Sequence, residues 1–342
     1  MSTDRPEGPH GPEPAGRPVD EPVEDQAAAA REALEGVRSQ IAKVIVGQDG
    51  VVTGLVTALL VRGHVLLEGV PGVAKTLLVS TLARALDLGS NRLQFTPDLM
   101  PSDVIGQTIL DDAGSGFRFR QGPVFTNLLL ADEVNRTPPR TQAALLESMQ
   151  ERQVSVDGTT HRLPEPFLVV ATQNPVEHEG TYPLPEAQLD RFLFKLHVPY
   201  PSREQETTIL ERHEDGLADG DPAALGVVAA AGPAQLEAAR RSVAQVAVSA
   251  EVRGYLVDLA RATREAPAVS LGVSPRGATM LLHAARAWAW LAGRTYVTPD
   301  EVKAVAKPTF RHRLQLRPEL ELEGADADGV LDGLLASVPV PR

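Results

Sequence analysis

The chain has 342 residues, long enough for two domains, and 43% of them are hydrophobic, as in ordinary globular proteins. It contains no cysteine, which excludes disulfides and thiolate metal sites. A net charge of −12 argues against tight, non-specific attachment to a nucleic-acid backbone, which needs basic surface.

Residues 1–25 hold six prolines, and residues 1–30 carry seven acids against two arginines. This stretch is expected to be a disordered acidic leader, with too few large apolar residues to pack. It has no signal-peptide pattern, and the apolar region at 51–61 is too short to span a bilayer, so a cytoplasmic protein is expected. Residues 26–44 place Ala30, Leu34, Val37 and Ile41 on one helical face, and a second helix is expected over 49–62. Val46 and Gly47 turn the chain between them. Such a turn could lie against an adenine base, or be an ordinary helix connection.

The next stretch, HVLLEGVPGVAKT at 64–76, organises the rest. An apolar strand ends in the loop Gly69, Val70, Pro71, Gly72, Val73 and Ala74, and Lys75 and Thr76 open a helix. Strand, glycine-containing loop, Lys-Thr and helix form a P-loop, whose backbone N–H groups wrap phosphates at the positive end of the helix. Lys75 would meet the β- and γ-phosphates of ATP, and the Thr76 hydroxyl would hold Mg²⁺. Ala74 stands where the strict pattern has Gly. An ordinary helical φ would let Ala stand there at little cost.

A second strand is expected at 93–95, then a hairpin in which 107–110 faces Phe117 and Phe119 across a turn at Gly114, Ser115 and Gly116. NLLLADE at 127–133 reads as a buried parallel strand ending in two acids. Ligands of such sheets gather at the carboxyl ends of strands. Asp132 there would hold Mg²⁺ through its water shell, and Glu133 would orient and deprotonate the attacking water. Thr137 and Pro138 read as N-cap and first residue of a helix, and Asp157-Gly158 as the turn of a second hairpin. A further buried strand at 167–172 ends near Asn174, which could bond the γ-phosphate or cap the next turn. A short helix at 184–192 leads to a last strand at 193–198. The composition changes at 199–203, and the remainder reads as helical, with a capping box at Thr298 and Glu301 and a short apolar helix at 330–338.

GVPGVAKT, LLLADEVNRTPPRTQAALLESMQERQV, ATQNP and LPEAQLDRF together resemble the MoxR family of AAA+ ATPases, in its helix-2-insert group. The resemblance runs from about residue 32 to the C-terminus, and the family shares Ala before the P-loop lysine. It implies an α/β AAA+ domain with a parallel sheet over 26–199 and an all-α lid over 200–342. It implies that Asn174 is the sensor-1 residue, that Arg191 is an arginine finger supplied to a neighbour, and that Arg276 is sensor 2. Arg136 and Arg140 compete with Arg191 as γ-phosphate contacts. Val46 and Gly47 resemble the adenine-side turn. The implied protein is an ATPase needing Mg²⁺, working as a homo-oligomeric ring, hexameric by family analogy. It would remodel a client with a von Willebrand factor A domain partner and without nucleic acid. A metal-chelatase or nucleic-acid motor subunit and a slowly hydrolysing nucleotide-gated scaffold are the alternatives.

Overall fold

The structure, a computed structural model, describes residues 23–70, 72–110, 116–173, 181–214 and 221–341. Residues 1–22 of the expected leader, Pro71, Gly114, Ser115 and Asn174 lie outside the described residues. Helix α1 (Val23–Ala42) begins inside the stretch expected to be leader, and α2 (Asp49–Leu60) follows it. Next come β1 (Val65–Glu68), α3 (Lys75–Ala85), β2 (Ser90–Gln94), α4 (Pro101–Ile105), β3 (Gly106–Leu110), β4 (Phe117–Gln121) and β5 (Leu128–Asp132). A turn of 3-10 helix at Val134–Arg136 leads to α5 (Pro139–Glu151), β6 (Gln153–Val156), β7 (Thr159–Arg162), β8 (Leu168–Gln173), the one-turn α6 (Glu186–Leu189) and β9 (Phe194–His197). The remainder comprises α7 (Arg203–Glu214), α8 (Pro233–Gln245), α9 (Ala250–Glu265), β10 (Val269–Leu271), α10 (Pro275–Leu291), α11 (Pro299–Phe310), β11 (Gln315–Leu316), α12 (Pro318–Leu322) and α13 (Ala327–Ser337).

Five strands form one parallel sheet in the order β2-β5-β8-β1-β9. Its central strands are apolar on both faces because both faces are covered. Val65 and Leu67 join one core cluster with Leu128, Leu130, Leu168 and Val170. The alternate residues Leu66, Leu129, Ala131, Val169 and Ala171 join the other. The first cluster continues through α1, α2 and α3 into α9, α10 and α11, so the helices after the sheet share a core with it. The register sets Gln94 beside Asp132 and Glu68 between Gln173 and His197, which gathers polar side chains at the carboxyl ends of the strands.

The antiparallel pairs β3–β4 and β6–β7 stand outside the sheet as the two expected hairpins. The rings of Phe119 and His161 stack at 3.9 Å and tie one hairpin to the other. Two expectations are corrected. Pro138, not Thr137, is the N-cap of α5, because Pro139 takes the first helical position, where an N–H is not needed. Thr137 is buried. The region after the sheet is also not wholly helical, since β10 pairs antiparallel with β11. The last helix docks on its own chain: Lys307 holds Asp332 at 2.8 Å, and Arg311 holds Asp328 at 3.0 Å. No helix among the described residues is long and apolar enough to cross a membrane.

Candidate active site

β1 leaves the sheet at Glu68, and the loop that follows runs into the N-terminus of α3. Gly69 passes so close to the chain leaving β9 that a Cβ there would lie 2.7 Å from the Val198 carbonyl oxygen, which bars any side chain. Ala74 has φ 56° and ψ 26°, in the left-handed region, so the ordinary helical φ expected for it does not hold. An L side chain in that conformation costs about 1–2 kcal/mol. Lys75 opens α3 and donates from Nζ to Gly69 O at 2.8 Å. Burial lowers the pKa of its ammonium, and the charges of Asp132 and Glu133 act in the opposite direction. The lysine therefore stands within the field of both acids.

The acids are held by groups that sequence reasoning missed. Asp132 Oδ1 accepts the Thr172 hydroxyl at 2.6 Å, and Oδ2 accepts Arg92 at 2.7 Å. Glu133 is left-handed at φ 57°, with its N–H donated to Thr172 Oγ1 at 2.9 Å. Its carboxylate accepts Gln94 Nε2 at 2.6 Å and pairs with Arg136 Nε at 3.0 Å. Arg92 and Gln94 alternate along β2, and strand period two could have placed them on one side, facing Asp132. Among the described residues no group of three or more His, Asp or Glu side chains could hold a metal unaided. The hard oxygens of Thr76 and Asp132 suit a cation that takes its other ligands from water and phosphate, as Mg²⁺ does.

A cavity of about 280 Å³ opens beside the loop, lined by Val46, by Gly72, Val73 and Ala74, and by Ile209 of α7. Gly47 has φ 75° and leaves room for the Gln205 side chain, into which a Cβ would run. Arg212 of α7 donates to Lys43 O at 2.8 Å and to Ala42 O at 3.4 Å, which fastens α7 over the end of α1.

Arg191 and Arg276 lie elsewhere, and together. They line a second cavity of about 290 Å³ with Arg62, Arg152, His64 and His283. His64 immediately precedes β1, whereas the loop that leads to Lys75 follows it. At about 3.3 Å per residue the two ends lie roughly 17 Å apart. Neither Arg191 nor Arg276 forms an ion pair among the described residues. Arg136, by contrast, pairs with Glu133 of its own chain. Asp190, next to Arg191, accepts Arg313 Nε at 2.7 Å and the Ser274 hydroxyl at 3.3 Å. Ser274 is the N-cap of α10, the helix that carries Arg276, so one carboxylate ties the two arginines' supports together.

Residues 64–194 match the family model of the ATPase family associated with various cellular activities (AAA), and residues 261–332 match that of an AAA lid domain. Protein YeaC of Bacillus subtilis is 46% identical over 303 residues, covering 88% of this chain and 92% of YeaC. Chaperone MoxR1 of Mycobacterium tuberculosis is 43% identical over 326 residues, covering 92% of this chain and 84% of MoxR1. A crystal structure from Cytophaga hutchinsonii, assigned to the ATPases, matches with a TM-score of 0.86 at 40% identity, covering 93% of this chain and 98% of that one.

Proposed function

The chain belongs to the MoxR-type AAA+ ATPases, and from that premise we propose that it hydrolyses ATP at a site completed by a neighbouring copy and uses the cycle to remodel a client protein. The observation that carries this reading is the separation of the cations. Lys75 stands with Asp132 and Glu133 at one end of β1, while Arg191 and Arg276 line a cavity at the other. Copies arranged head to tail would bring the arginine cavity of one onto the phosphate loop of the next, and such a heterologous contact makes a ring when its rotation closes. The family resemblance makes that ring a hexamer.

Each residue then has a task. The N–H groups of the loop between Gly69 and Ala74, Pro71 having none, and the Lys75 ammonium bind the phosphates. Thr76 and Asp132 would hold Mg²⁺, which when bound neutralises charge on the β- and γ-phosphate oxygens. Glu133, set by Gln94 and Arg136, orients the attacking water and takes its proton. Asn174 would contact the γ-phosphate from the end of β8. Arg191 and Arg276 from the neighbour stabilise charge on the transferred group, a contribution worth roughly 10³–10⁵ in rate for an arginine finger. The nucleotide-binding region runs to residue 199 and the lid from 200 onward, with the first helix now starting at Val23.

Client work falls to the hairpins. Phe117 is 78% exposed and Leu110, its partner across the β3–β4 ladder, 57% exposed. An apolar pair held outward on a hairpin suits contact with another protein. A von Willebrand factor A domain protein is the partner that the resemblance implies, and the cytoplasm the expected compartment. The test is specific ATPase rate against protein concentration. The rate rises as rings assemble, and a rate that stays flat through dissociation overturns the shared site. Glu133→Gln keeps ATP binding and loses turnover by at least about 10²-fold, and this trapped form retains the client.

A further inference from the structure

Helix α9 carries Arg253, Val257, Arg261 and Arg264 at spacings of four, four and three, which places them on one exposed face. Beside α10 this face forms a groove of about 370 Å³. Leu256, Val257, Ala278 and Leu282 line it together with the three arginines. No carboxylate lines it among the described residues. In a chain of net charge −12, an apolar groove whose only charges are arginines suits an apolar side chain flanked by acids.

Such a side chain stands elsewhere on the same surface. Leu322 ends α12 and is 90% exposed, with Glu319 and Glu321 before it and Glu323 after it, all exposed. Its exposure shows that it does not fill the groove of its own chain. A leucine held in water gains by moving into an apolar groove. The two features belong to opposite ends of β1. The groove shares Thr279 with the arginine cavity, at the amino end. α12 leads into α13, whose Asp328 pairs with Arg311 at 3.0 Å, and Arg311 lies in the field of Glu68 at the carboxyl end. A head-to-tail contact sets the first end of one copy on the second end of the next, and so sets the groove of one copy against α12 of the other.

We propose that Leu322 of one copy seats in the α9–α10 groove of its neighbour, with Glu319, Glu321 and Glu323 meeting Arg253, Arg261 and Arg264. This lid-to-lid contact rests on the head-to-tail arrangement of the ring. Arg261 pairs with Glu265 of its own helix at 3.4 Å, but both side chains are exposed, and such a pair holds weakly against a new carboxylate.

The test is charge reversal, read by sedimentation velocity over a range of concentrations, with thermal melting to check the fold. One variant carries Glu319→Lys, Glu321→Lys and Glu323→Lys, and the other carries Arg253→Glu and Arg261→Glu. All of these side chains are exposed, so both variants should fold. Alone, each variant sets like charges against each other at every contact, and the concentration needed for assembly rises by about 10- to 100-fold. In an equal mixture, alternating copies set Lys against Glu at one contact and Glu against Arg at the next. Assembly then returns to the concentration that the unmodified protein needs. Leu322→Ser, which changes no charge, raises that concentration by about 10-fold or more. Assembly of either charge variant alone at the unmodified protein's concentration overturns the contact, and so does a mixture that restores nothing. If the ATPase rate of the unmodified protein still rises with concentration in that case, the shared site stands and only the lid contact falls. A rate that stays flat removes the shared site and this inference together.

Discussion

Arg313 Nε donates to Asp190 Oδ1 at 2.7 Å, and the arginine side chain behind that bond is 2% exposed. The same guanidinium donates to the carbonyl oxygens of Asp190 at 3.1 Å and Leu193 at 3.3 Å. Burial lowers its pKa to about 10, and Asp190 opposes the shift. Removing one member of such a pair strands a buried charge, which costs about 3–5 kcal/mol. Asp190→Ala is expected to lose stability of that order, read from the denaturant midpoint. Adding Arg313→Met recovers much of the loss, because the stranded charge is gone. A single variant as stable as the parent would remove the pair from its anchoring role.

Stability should also fall as the solution is acidified, in two windows. His64 lies with Nε2 at 3.0 Å from Met149 O, and its Nδ1 accepts the Val169 N–H at 3.0 Å, so the ring is neutral. Burial, aided by Arg152 and opposed by the bond to Met149, lowers its pKa from 6.5 to about 4. The unfolded chain takes up a proton below 6.5 that the folded ring refuses until about 4. The stabilisation is therefore complete above 6.5 and lost on descent through this window, at about 1.4 kcal/mol per pH unit. His312, lowered by burial and by Arg313, adds to the same slope. Burial acts to raise the Glu68 carboxyl, but the hydrogen bond from His197 and the charge of Lys195 outweigh it and bring the pKa from 4.5 to about 2. Its contribution is present above 4.5 and disappears on descent toward 2. Unfolding free energy measured against pH should show both windows, and His64→Gln should flatten the upper one by about one proton. An unchanged slope in the variant would count against His64 as its source.

Ala74→Gly is expected to stabilise the protein. At φ 56° the Ala side chain costs about 1–2 kcal/mol, while Gly costs about 0.5–1 kcal/mol in chain entropy. The balance favours Gly by up to about 1.5 kcal/mol. The denaturant midpoint should rise with the slope unchanged, and a fall would show that the loop gains from the Ala methyl group.

Parts of this molecule were legible from sequence because the relevant physics is local. The strand Leu128–Asp132 is an unbroken apolar run ending in an acid, as a strand buried on both faces must be. The strand, loop and helix around Lys75 were legible because Val65–Leu67, Gly69 and the Lys75-Thr76 pair share one short stretch. Ala74 was misjudged because its left-handed φ follows from the loop's path rather than from its residue type. Thr137 was misjudged because two successive prolines shift the start of α5 by a residue. The meeting of Arg191 with Arg276 could not be read from any spacing. It depends on Asp190, Ser274 and Arg313 converging from three separate segments. Strand alternation would have found Gln94 beside the acids, had the register with Asp132 been known.

Mixing two inactive variants gives the sharpest view of the arginine cavity. Lys75→Ala removes the phosphate contact in one copy, and Arg191→Ala removes the cation offered to the next. Each alone should lose at least about 10³-fold in ATPase rate. If Arg191 serves a neighbour, a mixed ring contains interfaces with the Lys75 side from one variant and the Arg191 side from the other. Random mixing in equal amounts makes about a quarter of the interfaces complete in this way. The mixture should regain about that share of the unmodified rate, and diluting it with buffer until rings dissociate should abolish the gain. If Arg191 instead served its own chain, every copy would lack one group, and no ratio of the two variants would restore turnover. The roughly 17 Å along β1 between His64 and the loop is what makes the first outcome the expected one.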